Sequence, residues 1–186
     1  DDPNPDGYRL ALEKMAHATP VFQTADDVYP CEPERLLAMG IEIETLGDPV
    51  WRALTAMCAA DDIRPLLALL DEAPEGWMRE TVWRHVAAPD TLQRQLERAE
   101  PDMNVIERLV KRMGVASVPG LLDSLSLLDE HNAATIVDLI VSIGPDAARV
   151  VADRVDGARP AKQRTLLSIL SKIGVSPEGF DIRSEE

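Results

Sequence analysis

The chain is short of aromatic residues, of basic residues and of cysteine. Only 4% of its 186 residues are aromatic, whereas hydrophobic residues make up 45%. Strands of a sandwich or barrel draw on aromatic and β-branched side chains, so few rings beside abundant Leu and Ala point to an all-α chain with a real core. Two cysteines, Cys31 and Cys58, cannot staple a scaffold, and their spacing fits no zinc motif. Lys and Arg number 19 against 33 Asp and Glu, a net charge of −14. Phosphate neutralisation needs a basic surface, so this balance argues against a nucleic-acid partner. No apolar run reaches the roughly 18 residues of a spanning helix, and no membrane partner is expected. Nucleophile-elbow, P-loop and dinucleotide-binding motifs are absent as well.

The remaining reactive side chains fit structural roles. His17, His85 and His131 stand in three separate segments at none of the spacings that metal-binding helices use. Cys58, in the small-residue run Ala56–Ala59, packs as a small hydrophobe, while acidic neighbours around Cys31 disfavour a thiolate there. Asp61 and Asp62 read as cap and first-turn charge for a following helix. The expected catalytic, metal and cofactor residues are therefore none.

What the sequence does contain is unevenly spread. Residues 1–48 hold 11 acidic and 3 basic side chains, more than half of the whole acidic excess, among several prolines. Residues 1–47 are read as an acidic N-terminal arm or cap with one or two helices. One runs from about Asp6 to Ala18, a loop covers Thr19–Pro33, and the alternation Ile41-Glu42-Ile43-Glu44 suggests a short strand. Asp48-Pro49 reads as an N-cap followed by the first helical residue. The chain opens at Asp1 with neither an initiator Met nor a basic-then-apolar leader. It reads as a processed chain or a piece of something longer, with a cytoplasmic location expected.

Internal repetition is the strongest signal. Val105–Gly114, Thr135–Gly144 and Thr165–Gly174 align without gaps, with stop-glycines 30 residues apart at 114, 144 and 174. Apolar residues recur in matched columns: Ile106/Ile136/Leu166, Leu109/Leu139/Ile169, Val110/Ile140/Leu170 and Met113/Ile143/Ile173. That is the spacing of one helix face, repeated three times. Glycine suits the left-handed residue that ends a helix. A second helix is expected after each of the first two glycines, over Val118–Leu125 and Pro145–Val155. Weaker echoes begin at Ile63 and Ala88, and further prolines punctuate the pattern at 49, 74, 101 and 160. Helix pairs that cannot bury their own apolar faces stack as solenoid repeats.

These units resemble HEAT-type repeats, in particular bacterial HEAT-like arrays; Gly114–Leu122 and Gly144–Ala152 carry the likeness best. The resemblance covers about residues 48–174 and implies a short right-handed α-solenoid of about five helix pairs. Residues 175–186 are read as a tail, with Phe180 or Ile182 capping the last helix. It also implies that helices near 50–60, 75–87, 102–113, 132–143 and 161–173 line a concave binding face. The function it implies is a non-enzymatic interaction or scaffold module, a piece of a larger bacterial regulatory protein, binding another protein or domain. The alternative is an enzyme or enzyme subunit resembling HEAT-like bilin lyases or DNA glycosylases; the charge disfavours the latter.

On that face the columns left outside the core carry Arg108, Asp138 and Ser168; Lys111; and Arg112, Ser142 and Lys172. Upstream lie Arg79, Trp83, Arg84 and His85. A ladder of Arg and Lys on an acidic protein suits an acidic peptide or loop, whereas the plainer reading is a solvated helix face. Trp83-Arg84-His85 is the expected binding hot spot. Trp51 and Trp77 occupy related positions as wedges between repeats or as partner anchors, the wedge being preferred.

Overall fold

A computed structural model of the chain describes residues 32–174. The expected helix at Asp6–Ala18, His17, Cys31, Phe180 and Ile182 lie outside them. All of the described residues but Glu32 belong to one compact unit, which begins at Pro33. Among the described residues the structure is all-helical, with no strand. In chain order come α1 (Pro33–Glu42), α2 (Asp48–Ala59), α3 (Arg64–Glu72), α4 (Trp77–Val86) and α5 (Pro89–Leu96). Then follow α6 (Met103–Met113), a 3-10 turn (Gly114–Ser117), α7 (Val118–Ser124), α8 (Glu130–Ile143), α9 (Pro145–Ala152) and α10 (Pro160–Ile173).

Starts and stops follow from local chemistry. Proline opens α1, α5, α9 and α10 and is the second residue of α2, α3 and α7, where a missing N–H leaves no hydrogen bond unmade. The Asp102 carboxylate accepts from the Asn104 N–H at 3.0 Å and the Val105 N–H at 3.4 Å to cap α6. Asp129 accepts from the Asn132 N–H at 2.9 Å and caps α8 in the same way. Asp48 differs from expectation: it is the first residue of α2, Gly47 stands at the cap, and no side chain caps that end. Gly114, Gly144 and Gly174 end α6, α8 and α10 at φ of 57°, 83° and 76°, values few other residues adopt.

The aligned columns form the core. Ile106, Ile136 and Leu166 are buried, as are Val110, Ile140 and Leu170. Leu109 and Ile169 are buried as well, while Leu139 and the column Met113/Ile143/Ile173 are half-buried at its edge. The helices before the stop-glycines pack in succession, α6 on α8 and α8 on α10. The intervening helices do the same, α5 on α7 and α7 on α9, and α9 packs against both α8 and α10.

The strand expected at Ile41–Glu44 is not formed. Ile41 and Glu42 are the last residues of α1, whose Leu37 and Ile41, one turn apart, are buried as α1 packs on α2 and α3. Four alternating residues satisfied both periods, and burial of the pair Leu37/Ile41 selects the helical one. Gly40 makes the contact close: a Cβ there would lie 2.6 Å from Val50 Cγ1 on α2. None of the described helices is long and apolar enough to cross a membrane.

Candidate functional site

The residues of the expected ladder lie on α4, α6, α8 and α10, and most of them are engaged within the fold. Arg108 donates to the Leu67 carbonyl at 3.0 Å and to the Asp71 carboxylate at 2.7 Å, tying α6 to α3. Arg112 reaches both carboxylate oxygens of Glu80 on α4 at 3.3 Å. Lys172 on α10 pairs with Asp138 on α8 at 3.5 Å, and Arg154 pairs with Asp123 of α7 at 2.7 Å. The partners are 37, 32, 34 and 31 residues apart. Each bond therefore spans about one repeat length. Lys111 pairs within α6 with Glu107 at 2.7 Å. Ser142 donates to the Leu139 carbonyl at 2.7 Å, and Ser168 is exposed on α10. Exposed pairs of this kind add little stability individually, about 0–1 kcal/mol. Their consequence for recognition is larger, since they answer most of the ladder's positive charge internally. Sequence spacing revealed the cations; it gave no sign that carboxylates one repeat away would meet them.

The hot-spot cluster is divided by α4. Arg79 is half-buried and donates through Nε to the Leu70 carbonyl at 2.7 Å, satisfying a carbonyl near the end of α3. Trp83 is 4% exposed and belongs to the core with Met78, Val82 and Val86, so its ring is no exposed anchor. His85 packs against Trp51, ring centroids 4.7 Å apart. Arg84 is exposed and makes no hydrogen bond or ion pair among the described residues.

The other two tryptophans are the exposed ones. Trp51 is 39% and Trp77 54% exposed. Trp77 is the first residue of α4 and Trp51 the fourth of α2, and the carbonyl of each accepts from a threonine hydroxyl one turn on: Thr55 to Trp51 at 2.9 Å, Thr81 to Trp77 at 2.8 Å. Trp77, Glu80 and Arg84 fall at i, i+3 and i+7 on α4, one outward stripe. That phase, legible in the sequence, distinguishes Trp77 from Trp83, which falls on the inward side with Met78 and Val82.

Beside this stripe lies an open pocket of about 340 Å³ between α4, the start of α5, and α6 with its following turn. Glu80, Trp83, Arg84, Pro89, Arg112 and Met113 line it. The Arg112 guanidinium carbon stands 4.7 Å from the centre of the Trp83 ring, within cation–π range. The buried Trp83 Nε1–H has no acceptor among the described residues. A second, more apolar groove of about 650 Å³ runs between the first halves of α8 and α10, with Leu122, Val137 and Leu166 in its walls.

Titration behaviour adds no reactive group. Burial pushes the Cys58 thiol up to about 11, the more distant charge of Arg94 opposing it only in part. Bonds from Arg64, side chain first and backbone second, hold Asp62 down at about 2, and the Asn132 N–H lowers Asp129. Asp61 and Asp62 differ from expectation: both precede α3, Ile63 stands at its cap with no side-chain cap bond, and the first turn holds no acid, although Asp62 accepts the Arg64 N–H at 3.0 Å. Among the described residues no group of His, Cys, Asp and Glu is placed to hold a metal ion. Comparison with protein-family models, curated proteins and solved structures returns no match for this chain.

Proposed function

We propose that residues 48–174 are a short HEAT-like α-solenoid and that the chain is a non-enzymatic interaction module. Its partner is another protein, or another domain of a longer chain, bound along the face formed by α2, α4 and α6. The successive packing of α6, α8 and α10, and ion pairs spanning one repeat length, support the stacked-pair reading. The observation that carries the binding reading is the exposure of Trp51, Trp77 and Arg84, the last without a partner among the described residues. Tryptophan and arginine are the side chains that most often anchor interfaces, and the helices fix the backbone that carries these three. The ladder's second half, neutralised by its own carboxylates, is left to a structural role.

Affinity capture from a cell extract, followed by titration of each captured protein, tests this. Trp77→Ala or Arg84→Glu weakens a genuine partner by roughly 30-fold or more, the scale of a hot-spot loss. Arg149→Ala, at an exposed position on α9, leaves its affinity unchanged. Partners that bind all of these variants equally would remove the face from consideration.

A further inference from the structure

We infer that the pocket between α4, α5 and α6 receives a carboxylate side chain from an acidic peptide segment of the partner; this rests on the interaction-module reading and gives it a chemistry. Two guanidiniums, Arg84 and Arg112, line one pocket of about 340 Å³. They are not equally committed. Arg84 has no partner among the described residues, whereas Arg112 faces Glu80. The Glu80 contact is loose: one nitrogen, Nη1, is shared between both oxygens at 3.3 Å, against the roughly 2.7–2.9 Å of a well-made charge-assisted bond. Arg108, by contrast, holds Asp71 at 2.7 Å. Glu80 thus stands as an internal carboxylate at this pocket, in a geometry that an incoming carboxylate can improve on.

The rest of the pocket is prepared for such a guest. The Arg112 head already lies over the Trp83 ring, a contact that reduces the side-chain freedom lost when it is engaged. Trp83 itself is held in the core, so the ring that carries the Arg112 head is fixed in place. Met113 and Pro89 supply an apolar wall for the methylenes that carry the acid group. Two cations and Glu80 leave the pocket with a single net positive charge. That balance suits a monoanionic carboxylate better than a phosphate dianion, which Glu80 would repel. The chain's overall charge of −14 disfavours unspecific binding of an acidic peptide, so any binding has to be earned locally.

The test is a titration of the full chain with capped pentaglutamate at low salt, followed by NMR of the three tryptophan indole N–H groups. Single Trp51→Phe and Trp77→Phe variants assign the resonances. Pentaglutamate is expected to shift the Trp83 resonance saturably and further than the other two, while capped pentaglutamine shifts none. Glu80→Gln, which removes the internal competitor, tightens binding by about two- to fivefold, the scale of one exposed ion pair. Arg84→Glu, on an exposed side chain, weakens it by about tenfold or more without altering thermal melting. No saturable shift in either wild type or Glu80→Gln would overturn the proposal. Weaker binding by Glu80→Gln, or tighter binding of penta-phosphoserine than of pentaglutamate, would overturn it too. A silent titration alongside captured partners that still depend on Trp77 would sink the pocket and leave the interaction module standing.

Discussion

Replacing Gly144 by alanine isolates backbone strain from every packing effect. Gly144 sits at φ 83° and ψ −149°, and a Cβ built there meets nothing within 4 Å. This lies at the edge of a region that is essentially glycine's alone, and holding another residue there costs about 1–3 kcal/mol. Alanine also stiffens the unfolded chain, which returns about 0.4–1 kcal/mol. A net destabilisation of about 1–2 kcal/mol is therefore expected. Gly174 provides the comparison, because it ends α10 at φ 76° and ψ 16°, inside the left-handed helical basin, with equally open space around it. Alanine there costs about 1–2 kcal/mol before the same offset, leaving roughly 0.5–1 kcal/mol. Asparagine sharpens the contrast: it tolerates the left-handed basin, so Gly174→Asn is nearly neutral while Gly144→Asn is as costly as Gly144→Ala. Urea unfolding of the full chain, followed by helical circular dichroism at neutral pH, measures all four, with the denaturant slope expected to stay constant. A neutral Gly144→Ala, or a Gly174→Ala that costs more, would refute the assignment of these glycines as conformational stops.

Three further outcomes follow from burial and charge. Ile140→Ala, at a fully buried column position, is expected to cost about 2–5 kcal/mol, and Leu139→Ala at the half-buried edge distinctly less; equal losses in urea titrations would mean that α8 faces the other way. Gly40→Ala drives a methyl to 2.6 Å from Val50 and costs about 1–3 kcal/mol, with Val50→Ala restoring part of the loss in a double variant; simple additivity of the two would refute the close approach of α1 to α2. Cys58, buried and with its thiol at about 11, resists thiol reagents in the folded protein. Because folding raises that pKa, the native state holds a proton the unfolded chain releases. Its stabilising contribution is full below the unfolded thiol's ordinary value and declines as the pH rises towards 11. Rapid labelling at neutral pH without denaturant would contradict this.

The three helices with four matched columns and a stop-glycine were readable from sequence because periodicity and termination agreed. The all-α class was legible in the composition, and the positions of α6, α8 and α10 came from that agreement. Ile41–Glu44 misled because four residues satisfy a strand and the end of a helix alike; only the burial of Leu37 one turn earlier decides between them. The tryptophans divided against expectation for a related reason. Proximity in sequence grouped Trp83 with Arg84 and His85, yet one residue is about 100° of helix, enough to turn Trp83 into the core and Arg84 outward. Arg108 and Arg112 were correctly placed outside the core, but the carboxylates that hold them come from α3 and α4. Charge pairing between helices depends on stacking register, which a single sequence does not state.

The main packing contacts join each helix to the next or to the next but one. Near-neighbour wiring of this sort keeps loop closure short and favours fast folding. It also confines injury: a cavity in α10 loosens α8 and α9, which pack on it, before it reaches α4. Amide exchange should accordingly be slowest in core-facing helices such as α6, where Ile106 and Leu109 are fully buried.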